Sequence, residues 1–474
     1  MSAFAEYEAF DGVGLAELVR RKEVTPSELL DAAIGRVERV NPTINAVIAT
    51  FEGKARVDIA AGLPDGPFTG VPFVLKDLFM CYAGERTTNG SRFWSDFGPT
   101  HTSELFARYR RAGFVIFGKT NTPELGMNVS TEPALFGATR NPWNIERTTG
   151  GSSGGAAAAV AAGMVPLAHA SDSAGSTRIP ASCCGLFGLK PSRGRMPMGP
   201  ERGESSGGMG TAHAITRSVR DSAVLLDVSA GPDLGAPYGI APPTRPWAAE
   251  VRARLTGLRI AVSTRTPAGV ALHTDCAEAV RVASKLCREL GHVVDEARPP
   301  LDAEAIGNAL RVIMRASVRT LVDARAATLG RAPTQGDLEP VTWDRYYTSS
   351  ETAADYARAL ATLHRATREL AAFQEQWDVI LTPMLAQPPM RLGEIVHSGP
   401  NAAYFADRVR EFSPFSAMAN WAGVPAMSVP LHWSAVGLPI GVQFIGRFGD
   451  EGTLFCLAAQ LEEAKPWAKR RPSL

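Results

Sequence analysis

The chain has 474 residues, of which 45% are hydrophobic and 20% charged, and these proportions are typical of a folded, enzyme-sized protein rather than a disordered tail, a fibre or a membrane protein. Its 49 Lys and Arg residues balance 48 Asp and Glu residues, so the net charge of +1 gives no electrostatic case for binding nucleic acid or an anionic membrane. We therefore expect a small and neutral ligand, with no nucleic acid or membrane partner.

Targeting signals and cysteine chemistry are equally plain. The N-terminal segment is acidic and polar, whereas a secretory signal needs a basic start and an apolar run. The longest weakly polar stretch, residues 154–168, is interrupted by Gly163 and Pro166 and is too short to span a bilayer. Six cysteines, of which only Cys183 and Cys184 are adjacent, match neither a zinc spacing nor a small disulfide scaffold. These features predict a cytoplasmic protein with no metal site.

Short apolar strands alternate with helical periods along most of the chain. Thr25-Pro26-Ser27-Glu28 has the form of a helix start with a capping box, and Asn41-Pro42 is expected to end that helix. Further helices are predicted at 102–112, 274–290 and 451–463. Strands are predicted at 45–50, 71–75, 114–117, 165–168, 258–263, 379–381, 427–429 and 441–445. This alternation predicts an α/β fold around a mixed sheet that is buried on both faces.

The domain organisation follows from what does not interrupt the chain. No charged or low-complexity linker divides it, so residues 1–474 are predicted to form a single domain with a catalytic core segment at 60–200. Residues 232–246 are rich in Pro and Gly and are predicted to be a surface connection. Residues 302–376 have a mostly helical pattern, which we interpret as a peripheral insertion near the substrate entrance.

A glycine-rich segment, residues 150–155, matches the G-x-S-x-G pattern of a nucleophile elbow around Ser152 and resembles a phosphate loop superficially. A phosphate loop needs Lys and then Ser or Thr directly after its glycines, but a run of alanines follows here. An elbow needs a strand directly before the serine, but residues 147–150 have a loop-like pattern. Ser152 precedes a predicted small-residue helix at 156–162, where it could be fixed as a catalytic group. Alternatively, Ser152 or Ser153 is only the helix cap.

Two further segments carry residues suited to acyl transfer. Residues 172–180 are rich in small residues, which let backbone N–H groups converge on an oxyanion, and Ser176 would then be the nucleophile. Alternatively, this is a tight turn braced by an Asp172–Arg178 pair. Lys76 ends the apolar run 71–75, where burial would favour a neutral amine that can act as a base. The alternative is a solvated turn formed with Asp77.

The order of these segments resembles one known family. The chain closely resembles the amidase signature family over nearly its whole length, in VPFVLKD, in GGSSGGAAAAVAAGMVPLAHASDSAGSTRIPASCCGLFGLKP and in GVPAMSVPLHWSAVGLPIGVQFIGR. The resemblance implies the amidase signature fold, with a central mixed, twisted β-sheet flanked by helices on both faces. It also implies a Ser-cisSer-Lys triad at Ser176, Ser152 and Lys76, with the cis peptide between Gly151 and Ser152. The oxyanion amides would be those of Ser173, Ala174, Gly175 and Ser176, and the supporting polar residues Ser153, Ser171, Asp172 and Arg178.

Two positions depart from the family's usual residues. Family members commonly have Gly where this chain has Ala174 and Thr where it has Ser171. A positive φ at Ala174 would strain the oxyanion loop. The wording of HASDSAGSTRIPAS and GATRNPWN is most similar to the branch that contains hydrolases of cyclic nylon oligomers, in which alanine is found at that position. We therefore interpret Ala174 as a marker of this branch.

The resemblance implies an amide-bond hydrolase that acts through an acyl-enzyme and needs no cofactor. In this mechanism neutral Lys76 draws a proton from Ser176 through Ser152. The expected substrates are small-molecule amides, with esters, cyclic amides and carbamates as further candidates, and the protein is expected to be a monomer or a homodimer. Predicted pocket residues are Met127 and Asn128, together with the segments 314–318 and 412–421.

Other functions stay open at this point. One is an esterase of the α/β-hydrolase type built on Ser152, with its histidine among His273, His292, His364, His397 and His432. Another is the amidase-like subunit of a tRNA-dependent amidotransferase, which hydrolyses glutamine within a complex. A non-catalytic binding protein on an amidase scaffold is a third, which the intact serines and lysine disfavour.

Overall fold

The structure is a computed structural model that describes residue 4 and residues 6–267, 269–399 and 402–474. Its helices are α1 (Gly12–Arg20), α2 (Pro26–Ile44), α3 (Glu52–Ala61), α4 (Glu104–Arg111), α5 (Gly154–Ala161), α6 (Arg178–Cys184), α7 (Val219–Ser229), α8 (Trp247–Glu250), α9 (Thr274–Glu289), α10 (Ala303–Leu329), α11 (Pro340–Tyr347), α12 (Ala353–Gln374), α13 (Ala402–Phe412), α14 (Met418–Ala422) and α15 (Glu451–Ala464). Its strands are β1 (Val47–Thr50), β2 (Pro72–Lys76), β3 (Val115–Thr120), β4 (Arg140–Asn141), β5 (Asn144–Thr148), β6 (Leu167–Asp172), β7 (Phe187–Lys190), β8 (Thr211–Thr216), β9 (Arg259–Val262), β10 (Val293–Glu296), β11 (Val379–Pro383), β12 (Ala426–Trp433) and β13 (Pro439–Ile445).

A mixed sheet of eight strands forms the centre of the molecule, in the order β10-β9-β11-β13-β12-β7-β8-β6. The pairs β10–β9 and β9–β11 are parallel, and the remaining neighbours are antiparallel. Three more strands, in the order β1-β3-β2, continue it beside β6, where the Lys76 N–H donates to His169 Nδ1 at 3.2 Å. Every residue of β2, β3, β11 and β13 is buried. Since successive side chains point to opposite faces, helices must cover both faces, and the predicted fold class is confirmed.

Helix α2 ends later than the sequence predicted. The capping box at Thr25 and Glu28 is present, but the helix continues through Asn41-Pro42 to Ile44, so the expected stop at Pro42 is wrong. Proline is costly where an interior amide is lost, but this one stands in the last turn, where the chain is about to leave the helix. The stop comes at Asn45, which takes a left-handed conformation with φ 51° and donates its N–H to the Asn41 carbonyl at 2.8 Å.

The segment from 302 to 376 holds α10, α11 and α12. These helices pack through a hydrophobic cluster that includes Ile306 and Ile313 of α10, Leu363 and Leu370 of α12, and Ile380 of β11. Whether this segment is an insertion stays a prediction. Within the described ranges, no helix combines the length and the apolar character that crossing a membrane requires.

Candidate active site

Lys76 stands at the end of β2 and is completely buried. Its Nζ is hydrogen-bonded to Ser152 Oγ at 2.7 Å and to Ser171 Oγ at 3.0 Å. Burial lowers the pKa of Lys76 to about 7, against the attraction of the Asp172 carboxylate, which favours the charged amine. The neighbouring Asp77 does not pair with Lys76, because it faces Lys119, whose Nζ lies 3.2 Å from Asp77 Oδ1. The solvated Lys–Asp turn considered from the sequence is therefore absent here.

Ser152 lies in the turn that leads into α5. The peptide bond between Gly151 and Ser152 is cis, as the resemblance implied. Residues 147–150 are only partly a loop, contrary to the expectation, because β5 runs to Thr148. Ser153 occupies the cap position of α5 without making a side-chain cap bond; its Oγ donates instead to the Ser171 carbonyl at 3.2 Å.

The loop after β6 is organised around the buried carboxylate of Asp172. It accepts hydrogen bonds from Gly175 N at 2.6 Å and Thr177 N at 3.2 Å, and it forms a buried ion pair with Arg178 at 3.0 Å. Burial alone would raise the pKa of Asp172, but the Arg178 guanidinium holds it well below its usual range. The carboxylate therefore stays charged and fixes the path of the loop.

The expected oxyanion amides divide into two groups. Gly175 has φ 120°, and a Cβ there would come within 2.5 Å of Ser416 Cβ. Its N–H is already donated to Asp172, so the expected oxyanion role of Gly175 is not supported. In the described part of the chain, the N–H groups of Ser173, Ala174 and Ser176 donate no hydrogen bond, and all three residues line a cavity. Ala174 avoids the left-handed region, so its methyl group brings none of the strain considered above.

This cavity has a volume of about 250 Å³ and brings most of the candidate residues together. Ser152, Ser171 and Ser176 line it, as do the predicted wall residues Met127 and Asn128. Its apolar wall is formed by Leu78, Phe79, Leu105, Leu125, Val129, Met314, Leu321, Phe405 and Val409. Ser176 is half-buried, and its hydroxyl makes no hydrogen bond with any residue that the structure describes. Catalytic contacts of this kind are often completed only when substrate binds.

Other predicted wall residues lie elsewhere. Met314 lines the cavity, but Val318 packs in a separate hydrophobic cluster. The segment 412–421 is not part of the described lining and lies behind the Asp172 loop instead. There Ser416 Oγ donates to the Ala174 carbonyl at 2.6 Å, and Asn420 Nδ2 donates to Asp172 Oδ1 at 2.9 Å. Helix α13, just before this segment, supplies Phe405 and Val409 to the wall.

A buried cluster of Glu124, Glu339 and His397 lies behind Met127. His397 Nδ1 is 2.9 Å from Glu339 Oε2, and its Nε2 is 3.1 Å from the Met127 carbonyl. Glu124 accepts from Ser91 Oγ at 2.7 Å and from the Glu339 N–H at 2.8 Å. Donor atoms of this cluster could hold a metal ion by their spacing, but these contacts already use them within the protein. The sequence analysis did not find this cluster, because Glu124 is more than 200 residues from the other two members in the chain.

The family model described as Amidase matches residues 28–455. The chain belongs to the amidase family. It is 39% identical over 482 residues to a 6-aminohexanoate-cyclic-dimer hydrolase of Paenarthrobacter ureafaciens, covering 98% of this chain and 96% of that protein. As a member of this family, the chain is a hydrolase of carbon–nitrogen bonds other than peptide bonds.

Solved structures agree with this assignment. A structure of 6-aminohexanoate cyclic dimer hydrolase complexed with substrate is 37% identical, with a TM-score of 0.93 over 98% of this chain and 99% of that one. A glutamyl-tRNA(Gln) amidotransferase structure from Thermotoga maritima is 29% identical, with a TM-score of 0.77 over 98% of this chain and 97% of that one. The amidase fold predicted from the sequence is confirmed.

Proposed function

We propose that this amidase hydrolyses small-molecule amides through an acyl-enzyme on Ser176, with Ser152 as the proton relay and Lys76 as the base. The observation that carries the proposal is the buried Lys76 amine, which is hydrogen-bonded to Ser152 Oγ at 2.7 Å and has a pKa lowered to about 7. A serine hydroxyl is a weak nucleophile unless a base takes its proton, and an amine with this pKa is neutral in much of the protein near neutral pH.

In the first stage, Ser176 Oγ attacks the amide carbonyl carbon while its proton passes to Ser152, whose own proton passes to Lys76. The oxygen of the tetrahedral intermediate is held by the N–H groups of Ala174 and Ser176, with that of Ser173 close by. The C–N bond then breaks, and the amine leaves with a proton returned from Lys76 through Ser152. Water attacks the ester by the same relay, which releases the acid and restores Ser176.

The supporting residues act on position and charge. Ser171 gives the Lys76 amine a second partner at 3.0 Å, and Ser153 ties the relay turn to β6 through the Ser171 carbonyl. Asp172 and Arg178 hold the loop that bears Ser176, and Gly175 serves this bracing through its bond to Asp172.

The substrate range belongs to the cavity wall. The apolar lining suits an acyl or amine part with a hydrocarbon chain, and the similarity to 6-aminohexanoate-cyclic-dimer hydrolase makes cyclic amides the first class to assay. Esters and carbamates offer the same carbonyl to Ser176 and belong in the same screen. We propose that the enzyme acts in the cytoplasm, since all six cysteines are buried free thiols, and that it works as a monomer or homodimer without a partner protein.

The test uses purified wild type and the variants Ser176→Ala and Lys76→Met in an amide screen. Both variants should lose turnover by about 10³-fold or more while remaining folded by circular dichroism. Ser350→Ala and Lys285→Met, at exposed positions, serve as matched controls that keep activity. Full activity in Ser176→Ala contradicts the proposal.

The same screen separates the alternatives. Turnover of glutamine alone, with a partner protein co-purifying, would favour the amidotransferase. Loss of activity in a His→Ala variant at 273, 292, 364, 397 or 432 would favour the esterase, although none of these histidines lies in the described cavity lining.

A further inference from the structure

The cavity that holds Ser176 is electropositive at neutral pH. Among the described residues that line it, Arg202 and Arg345 carry charge and no Asp or Glu is present. His169 also lines the cavity, but burial and the nearby Lys76 charge lower its pKa to about 3, so it is neutral there. Two guanidinium groups therefore face an otherwise apolar and hydroxyl-bearing space.

Neither guanidinium has a counter-ion in the part of the chain that the structure describes. Arg202 lies over the Phe79 ring at 3.7 Å and Arg345 over the Phe405 ring at 5.3 Å, and neither makes a hydrogen bond or an ion pair. Their acidic chain neighbours are no substitute: Glu201 pairs with His101, and Asp344 acts on Arg345 only at longer range.

Buried arginines elsewhere in this protein behave differently. Arg178 pairs with Asp172, and Arg195 pairs with Glu451, both at 3.0 Å. A charge withdrawn from water is costly unless it is paired, which is why such pairing is the rule. Burial lowers the pKa of Arg345 to about 10, so it remains a cation at neutral pH without a partner. An anion in the cavity would supply the missing partner.

We infer that Arg345 and Arg202 recognise a carboxylate on the substrate, remote from the bond that is cleaved. The preferred substrates are then half-amides of dicarboxylic acids or N-acyl derivatives of amino acids with a hydrocarbon spacer, an inference that rests on the proposed function. The planar guanidinium matches a carboxylate with two parallel hydrogen bonds, and the aromatic ring beneath each one limits its rotation. The apolar wall accommodates the spacer between this carboxylate and the carbonyl at Ser176.

The experiment compares substrates that differ only at the remote end. Adipoyl mono-4-nitroanilide is paired with 6-methylheptanoyl 4-nitroanilide, in which an isopropyl group replaces the carboxylate. N-hexanoyl-5-aminopentanoate is paired with N-(5-methylhexyl)hexanamide, which places the change on the amine side. For each pair we measure the ratio of kcat/KM for the acid to that for its neutral partner in wild type, Arg345→Met, Arg202→Met and Arg358→Met. Arg358 is an exposed arginine of α12 that pairs with Asp355 and serves as the matched control.

The acid-to-neutral ratio of at least one pair should fall by about tenfold or more in Arg345→Met, in Arg202→Met or in both, because a charge-assisted hydrogen bond is lost. It should stay at the wild-type value in Arg358→Met. Unchanged ratios in both cavity variants, for both pairs, overturn the inference while leaving amide hydrolysis by Ser176 intact.

Binding without turnover gives a second readout. In the Ser176→Ala background, isothermal titration calorimetry of the favoured acid should show a Kd about tenfold or more lower than for its isopropyl partner, and Arg345→Met or Arg202→Met should abolish this difference. Equal Kd values for acid and partner in the Ser176→Ala protein also overturn the inference. Since this measurement needs no catalysis, its outcome is independent of the proposed mechanism.

Discussion

Two buried lysines, Lys76 and Lys190, have pKa values lowered by burial to about 7, but only one of them contacts serine hydroxyls. Lys190, at the end of β7, donates to the Pro191 carbonyl at 2.7 Å and lies near the charges of Arg178 and Asp172. A similar environment therefore produces a similar basicity at both sites. The contact with Ser152, rather than the lowered pKa, distinguishes the proposed base.

We expect kcat/KM for an uncharged anilide to rise with pH through about 7 and then level off, since Lys76 accepts a proton only after losing its own. A pH–rate profile between pH 5.5 and 9 measures this midpoint, and Lys190→Met should leave it in place. A profile that falls through this range, or a midpoint that disappears in Lys190→Met, would contradict the assignment. The folded-state pKa of Lys76 is depressed, so its stability contribution is present above the ordinary lysine pKa and is lost as the pH falls through about 7.

Local sequence carried much of the residue-scale prediction. Lys76 follows an apolar run, so its burial could be expected, and the Asp172–Arg178 pair lies within one loop. The occupied N–H of Gly175 could not be foreseen, because it depends on the direction of one carboxylate. Arg345 and Arg202 enter the cavity from distant segments, and the overall charge of +1, from which we expected a neutral ligand, does not report such local charge.

At the scale of elements, α5 is packed closely enough that its first residues have no room for side chains. A Cβ on Gly155 would come within 2.4 Å of Asn121 N and 2.7 Å of the Ala46 carbonyl. The whole helix is buried, and it begins directly after Ser152 and Ser153. Small residues here therefore bring the relay serine close to the neighbouring strands.

Two Gly→Ala substitutions should have opposite effects. Gly155→Ala forces backbone apart and should lower the free energy of unfolding by about 1–3 kcal/mol or more. Gly35→Ala, inside α2, meets nothing within 4 Å and should raise it by about 0.5–1 kcal/mol. Urea denaturation of both variants measures the changes, and a Gly155→Ala protein as stable as wild type would refute the close packing.

Elements with strong apolar runs were predicted to within a few residues, whereas weakly marked ones were missed. The strand predicted at 379–381 is β11, and the helix predicted at 451–463 is α15. Strands β7 and β8 were not predicted, since FGLK and TAHAIT interleave Gly, Lys, His and Thr with apolar residues. They are strands because the sheet supplies partners on both sides of each, which local pattern does not reveal.

At the scale of the whole molecule, the two ends of the described chain meet at one place. Trp467 is buried, and its indole donates to the Arg217 carbonyl at 3.0 Å. Arg217 in turn donates to the Glu8 carbonyl at 2.9 Å. Trp467 and Leu15 belong to the same hydrophobic core. The first helices and the C-terminal segment should therefore unfold together.

Trp467→Ala should lower the free energy of unfolding by about 3–5 kcal/mol, because it leaves a cavity in this shared core. Leu474→Ala, at an exposed position, is the control and should change it by less than about 0.5 kcal/mol. Thermal unfolding followed by circular dichroism, with residual activity measured alongside, checks both. Loss of structure near Trp467 that leaves activity intact at the same temperature would show that the ends are not coupled to the centre.

The wall of the cavity and its reacting groups come from separate stretches of the chain. Lys76, Ser152 and Ser176 lie on β2 and on turns beside the central sheet, whereas Met314, Arg345 and Phe405 are on outer helices. Natural variation or laboratory evolution can therefore exchange substrates by altering those helices, and the chemistry is inherited unchanged. In such lineages, preference would diverge quickly among close relatives while the reaction itself stays recognisable.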